Sequence, residues 1–131
     1  MTDAELTARE LLAELQHAVA AKDLDRLSRL FDDEVVLFGT AAANLDRAET
    51  VAYLARVVGV GEIIRWAWDR VTVLVTRPGL LTFAVVGSVW LEDDMARPVG
   101  DRTAFRLTCV ALEQHGRWRL RHFHGSVPEA A

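Results

Sequence analysis

The sequence predicts an α+β domain in which N-terminal helices pack on one face of a strongly curved antiparallel sheet. Three observations predict it. Apolar residues recur at helical spacing only before Gly61, and at a spacing of two from Glu62 onward. The strands so delimited run 10 to 14 residues, about twice the common length, and strands that long must twist and bend. Within the first long strand the apolar parity changes: Ile64, Trp66 and Trp68 share one face, whereas Val71, Val73 and Val75 take the other. A β-bulge near Asp69-Arg70 reconciles the halves and supplies the bend.

Residues 3–22 form the first helix, with Ala4, Ala8, Leu11, Leu12, Leu15, Ala18 and Val19 on its apolar stripe. Thr2 and Glu5 make its capping box. Asp23 caps a short second helix that turns Leu24, Leu27, Leu30 and Phe31 inward and ends at Asp32-Asp33. Val35 to Phe38 is a wholly apolar strand, and Gly39 to Asn44 a loop of small residues. Asp46, with Glu49 three residues on, caps a third helix whose inner stripe is Val51, Leu54, Ala55 and Val58. Gly59-Val60-Gly61 stops it. Strands follow at Ile63–Thr76, Leu80–Glu92, Thr103–Glu113 and Arg117–Ser126. They are joined by a turn at Arg77-Pro78-Gly79, an acidic loop from Asp93 to Gly100 and a tight turn at His115-Gly116.

The totals narrow the class. A chain of 131 residues that is 51% hydrophobic is one domain, residues 1–131, with core enough to stand without disulfides. The net charge of −4 argues against a nucleic-acid partner, whose phosphates want a basic face. Cys109 has no partner cysteine, which points to a reducing, cytoplasmic setting. The acidic start, Met1-Thr2-Asp3-Ala4-Glu5, does not read as a signal peptide, and no apolar run is long enough to span a membrane. The Leu80–Glu92 strand is apolar on both faces. Helices cover only one face, so a second copy of the chain is expected on the other: a homodimer through the outer sheet face.

Side chains that carry chemistry are few. In the last strand His122 and His124 stand two residues apart, in one row with Trp118, Leu120 and Ser126; Arg117, Arg119 and Arg121 take the opposite row. The histidines serve either as general acid and base near neutral pH or as structural groups hydrogen-bonded to helix ends or across a subunit interface. With no third ligand nearby they are not read as a metal site. Arg106 lies in an apolar run and either grips a ligand carboxylate or pairs with Asp101, Glu92 or Asp69. Asp69, at the bulge, is a base if it faces an apolar pocket and an ion-pair partner otherwise. Trp66 and Trp68 line a cavity or fill the core, and Tyr53, the only tyrosine, reaches toward a pocket mouth from the third helix. Cys109 reads as a buried, inert thiol. No Gly-rich phosphate loop, nucleophile elbow or CxxC pair is present, so no cofactor is expected.

The closing run Gly116-Arg117-Trp118-Arg119-Leu120-Arg121-His122-Phe123-His124-Gly125-Ser126-Val127-Pro128 resembles the end of the association (hub) domain of calcium/calmodulin-dependent protein kinase II. It also resembles the bacterial SnoaL-like domains of the nuclear-transport-factor-2-like fold. The Asp33–Thr40 strand and the Arg106-Leu107-Thr108 run carry the likeness further, and the helix–strand order matches over nearly the whole chain. The resemblance implies a cone-shaped pocket between helices and concave sheet, and a dimer. Within such a family the chain is either a small-molecule-binding protein, including cofactor-independent isomerases, cyclases and dehydratases that work by proton transfer, or a non-catalytic dimerisation or ligand-sensing module. The expected ligand is small and apolar or carboxylate-bearing. Three departures stand out. Gly125 follows the second histidine where the kinase hub has an arginine, Cys109 replaces an arginine of the penultimate strand, and Asn44 stands near where relatives have an acid.

Overall fold

The computed structural model describes residues 1–128. The helices are α1 (Asp3–Ala20), α2 (Leu24–Arg29) and α3 (Arg47–Gly59); the strands are β1 (Phe31–Phe38), β2 (Ala43–Asn44), β3 (Ile63–Arg77), β4 (Leu80–Glu92), β5 (Pro98–Gln114) and β6 (Arg117–Ser126). They make one sheet in the order β2-β1-β6-β5-β4-β3. All neighbours are antiparallel except β1 and β6, which run parallel. The α+β class follows from the sequence pattern; the parallel pair does not.

All three helices start where their capping residues put them. The side chains of Thr2, Asp23 and Asp46 each accept a backbone N–H three residues on, from Glu5, Arg26 and Glu49. The end of α3 is built differently from the glycine stop expected. Neither Gly59 nor Gly61 takes a positive φ. Instead Lys22, from the α1–α2 connection, donates to the carbonyls of Val58, Val60 and Glu62.

Phe31 corrects the second-helix reading. It opens β1 rather than closing α2, and Asp32 and Asp33 are strand residues. Pairing with the last strand decides this: Leu120 N donates to Leu30 O, Phe31 is in register with Leu120, and the Phe31 carbonyl accepts from Arg119 and Arg47. The third long strand likewise starts earlier than expected, at Pro98. The Asp93 carboxylate accepts from Met95 N and Arg97 N, which tightens the acidic loop into a turn and lets Glu92 pair with Pro98.

Register shifts interrupt the sheet at several points, and two of them fix the facing of the candidate site residues. One falls where the parity change of Trp66, Trp68, Val71 and Val73 predicts it: Trp68 pairs with Gly87 and Arg70 with Val86, leaving Asp69 as the extra residue; Val75, expected on the face of Val71 and Val73, is turned off it by a further shift that leaves Leu74 extra. The other was not expected. Val110 pairs with His122 but Ala111 with Leu120, so Arg121 is extra. The bulge flips the row. Leu120, Phe123 and Gly125 are buried, whereas His124 is exposed. His122 and His124 therefore do not share a face with Trp118 and Leu120; they lie on the outer face of the sheet.

The core sits between α1, α2, α3 and the inner face, around Leu12, Leu15, Leu27, Phe31, Leu37, Phe83, Leu107 and Leu120. Cys109 is fully buried within it, and burial pushes its thiol pKa well above the ordinary range. Iodoacetamide should leave the native chain unlabelled and modify Cys109 once urea unfolds it, which mass spectrometry would read. Rapid labelling of the native chain would contradict this packing.

Candidate functional site

A cavity of about 60 Å³ lies between α1, α3 and the inner sheet face. Leu15 and Val19 of α1, Tyr53, Leu54 and Val57 of α3, Phe31 and Leu37 of β1, Ile64 and Trp66 of β3, and Phe123 of β6 line it. The walls follow from the elements. The helical stripes of α1 and α3 face the sheet, and alternation along β1, β3 and β6 sends every second side chain toward them. Trp68 stacks behind Trp66, ring centroids 5.8 Å apart, and Phe105 packs against both.

Among the described residues no carboxylate, imidazole, ammonium or guanidinium lines this cavity. Tyr53 and Trp66 are the lining residues whose side chains carry a polar atom. Burial pushes the Tyr53 phenol pKa up, so Tyr53 is a neutral group there. The Trp66 indole Nε1 is buried and has no hydrogen-bond partner among the described residues.

The residues expected to carry chemistry divide between two faces. Trp66 and Tyr53 line the cavity, and Trp68 supports it. His122, His124 and Arg106 are on the outer face, and Asp69 is exposed at the bulge. His122 Nδ1 donates to the Val36 carbonyl at 2.8 Å, and the edge or face of Phe38 meets both histidine rings with centroids 5.4 Å away. Asn44 is buried and its amide donates to the Leu37 carbonyl, tying β2 to β1. Arg119 donates to Asp33, and Arg121 lies about 4 Å from Asp32 and Glu34, so these arginines meet the acids of β1. Among the described residues no three His, Cys, Asp or Glu side chains gather to hold a metal, and no helix is long and apolar enough to cross a membrane.

Arg106, Thr108, His124 and Ser126 do come together. Arg106 is in register with Ser126 and Thr108 with His124, and with Leu107 they line an outer-face groove of about 280 Å³. Beside it the same face exposes Val86 and Leu74. At its far end Trp90 donates to Glu92, Arg65 pairs with Glu92, and Arg102 lies 4.2 Å over the Trp90 ring. The Trp90 hydrogen bond, then Arg65, holds the Glu92 carboxyl below its ordinary pKa.

Three contributors were not singled out from sequence. Gln16 of α1 accepts from Trp66 N at 2.8 Å and donates to Ile64 O at 2.9 Å, fixing the strand that carries the cavity tryptophan. Its trace in the sequence is an amide between Leu12, Leu15 and Val19 on the apolar stripe. Phe123, between the two histidines, is a wall residue. Phe105 explains Gly125: a Cβ there would stand 2.6 Å from Phe105 Cζ. The space an arginine would need is filled by an aromatic ring.

Solved structures share this architecture. A protein from Xanthomonas campestris described as a candidate calcium/calmodulin-dependent protein kinase II association domain superposes with a TM-score of 0.81 at 17% identity, over 95% of this chain and 88% of that one. A nuclear-transport-factor-2-like protein from Pseudomonas putida gives 0.78 at 20% identity, over 99% and 90%. A candidate dehydratase of the same fold from Streptomyces avermitilis gives 0.80 at 17% identity, over 94% and 95%. At these identities the likeness establishes the fold. No curated protein matches the chain. A family model, that of the SnoaL-like domain, matches residues 8–130. The chain belongs to the SnoaL-like domain family, with a nuclear-transport-factor-2-like fold.

Proposed function

We propose that the chain is a homodimeric, non-catalytic module that senses or carries a small uncharged apolar ligand held in the cone. The observation that carries this reading is the composition of the cavity wall. Proton transfer needs a base of suitable pKa within reach of the substrate, and among the described residues no ionised side chain lines the cavity. The ligand is small because about 60 Å³ is far below the several hundred of a drug-sized pocket. The dimer is supported by Val86 and Leu74, 48% and 54% exposed on a sheet face that no helix covers, and by the description of the Xanthomonas protein as an association domain.

Light scattering tests the dimer. The wild-type chain is expected at twice the 14.6 kDa monomer mass, and Val86→Asp, which sets like charges face to face, at the monomer mass with an unchanged circular-dichroism spectrum. A wild-type monomer would refute the dimer.

A second reading has its own observation, the groove of Arg106, Thr108, His124 and Ser126. There a carboxylate-bearing ligand pairs with Arg106 while His124 exchanges a proton. This reading requires the outer face to be open, so a stable dimer whose interface buries His124 excludes it. In a monomer, benzoate should bind and Arg106→Gln should weaken it about tenfold or more.

A further inference from the structure

We infer that His122 and His124 are two ligands of a divalent transition metal ion, zinc by the chemistry of the set, held between two copies of the chain, and that the second copy supplies the same two imidazoles. This rests on the outer-face dimer proposed above and gives that interface a ligand.

The two histidines stand two residues apart on β6, paired with Val110 and Thr108 on the outer face. On a strand that spacing sets side chains of one face about 7 Å apart, and here the ring centroids are 6.2 Å apart. Two imidazoles on one tetrahedral ion, each bound at about 2 Å, have centroids about 5 Å apart, so the exposed His124 ring needs to swing by only about 1 Å to close the pair. The tautomer of His122 suits the task. A carbonyl only accepts, so the Nδ1 that meets the Val36 carbonyl at 2.8 Å carries the proton, and Nε2 keeps its lone pair. A metal-bound histidine gives its other ring N–H to a carbonyl or carboxylate in this way. Phe38, in register with His124, meets both rings with centroids at 5.4 Å and puts hydrocarbon on one flank of the pair. One chain stops at two ligands: among the described residues no third His, Cys, Asp or Glu joins them, and Cys109 is buried in the core. A two-fold interface doubles the two to four. In the order of the sheet β6 and β5 are the middle strands of six, so an axis through the centre of the outer face sets β6 against its copy, and an isologous contact repeats each ligand. Four neutral imidazoles suit zinc or copper rather than magnesium or calcium, which want oxygen. Arg106 is two residues from Thr108, the partner of His124, and its charge opposes the ion.

The test titrates the EDTA-treated wild-type chain with zinc chloride by calorimetry and follows its mass by light scattering. One zinc per two chains is expected, and in zinc the dimer should survive dilution at least about tenfold beyond the point where the EDTA-treated chain dissociates. His122→Ala and His124→Ala, with unchanged circular-dichroism spectra, should each weaken zinc binding by about a hundredfold or more, because each removes two of the four ligands. His17→Gln/His115→Asn, which replaces the other two histidines, should change neither measurement. Arg106→Gln should bind zinc more tightly, the opposite of its expected effect on benzoate. A dimer that takes up no zinc, or zinc binding that survives both single histidine variants, overturns the inference and leaves the dimer reading standing. Loss of zinc binding in Arg106→Gln overturns the inference too. A monomer overturns both readings, whether it ignores zinc or takes one ion per chain.

Discussion

Gly87→Ala is expected to destabilise the domain by about 3 kcal/mol or more, or to prevent folding. Gly87 is the partner of Trp68 at the β3 bulge. A Cβ there would lie 2.0 Å from the Ala67 carbonyl oxygen, 3.0 Å from its carbon and 3.2 Å from Trp68 Cα. These are backbone atoms and cannot rotate aside. Relief requires the bulge to open, and the bulge bends the strand carrying Trp66 and Trp68. The effect should thus appear twice, as a lower urea midpoint and as altered indole signals from those two tryptophans. Ala84→Gly, on the same strand but away from the bulge, is the control, with a cost of about 1 kcal/mol or less. A Gly87→Ala midpoint within about 0.5 kcal/mol of wild type would show that the two strands do not approach so closely.

The second large effect belongs to Gly125 and Phe105. Gly125→Ala places a methyl group 2.6 Å from Phe105 Cζ and 3.4 Å from Phe123 Cε1, in a fully packed region. A side chain yields more readily than a backbone, so the expected cost is about 1–3 kcal/mol. Phe105→Leu makes room, and the double variant should recover at least about 1 kcal/mol of the summed single losses. Additive losses would mean that the two positions do not meet. The pair also bears on the cone. The resemblance to the kinase hub puts an arginine at Gly125, and here Phe105 occupies that space. Phe105 packs there against Trp66 and Trp68, so an aromatic ring backs the cavity wall at this point.

Much of the fold was legible because its signals are local. The three caps act through side chains three residues from their targets, and the β3 bulge announces itself because tryptophans and valines have a strong preference for the inner face. The Arg121 bulge leaves no such mark. Leu120, Phe123 and Gly125 are all buried, but His122 and His124 are amphipathic and alternate as plausibly inward as outward. The extra residue follows from pairing β6 with β5 on one side and β1 on the other. Phe31 is ambiguous in sequence for the same reason. Its apolar character suits a helix end or a strand start, and only the parallel pairing with Leu120 decides between them.

The candidate site depended on that choice. By itself the sequence determined the class, the order of elements, the helix starts, the first bulge and the supply of aromatics, Trp66, Trp68 and Tyr53 among them. The tertiary structure alone decided which face each chemical group meets. One inserted residue in a strand of period two turns every later side chain over. Arg121 is that residue, and it puts His122 and His124 outside the cone and Phe123 within it.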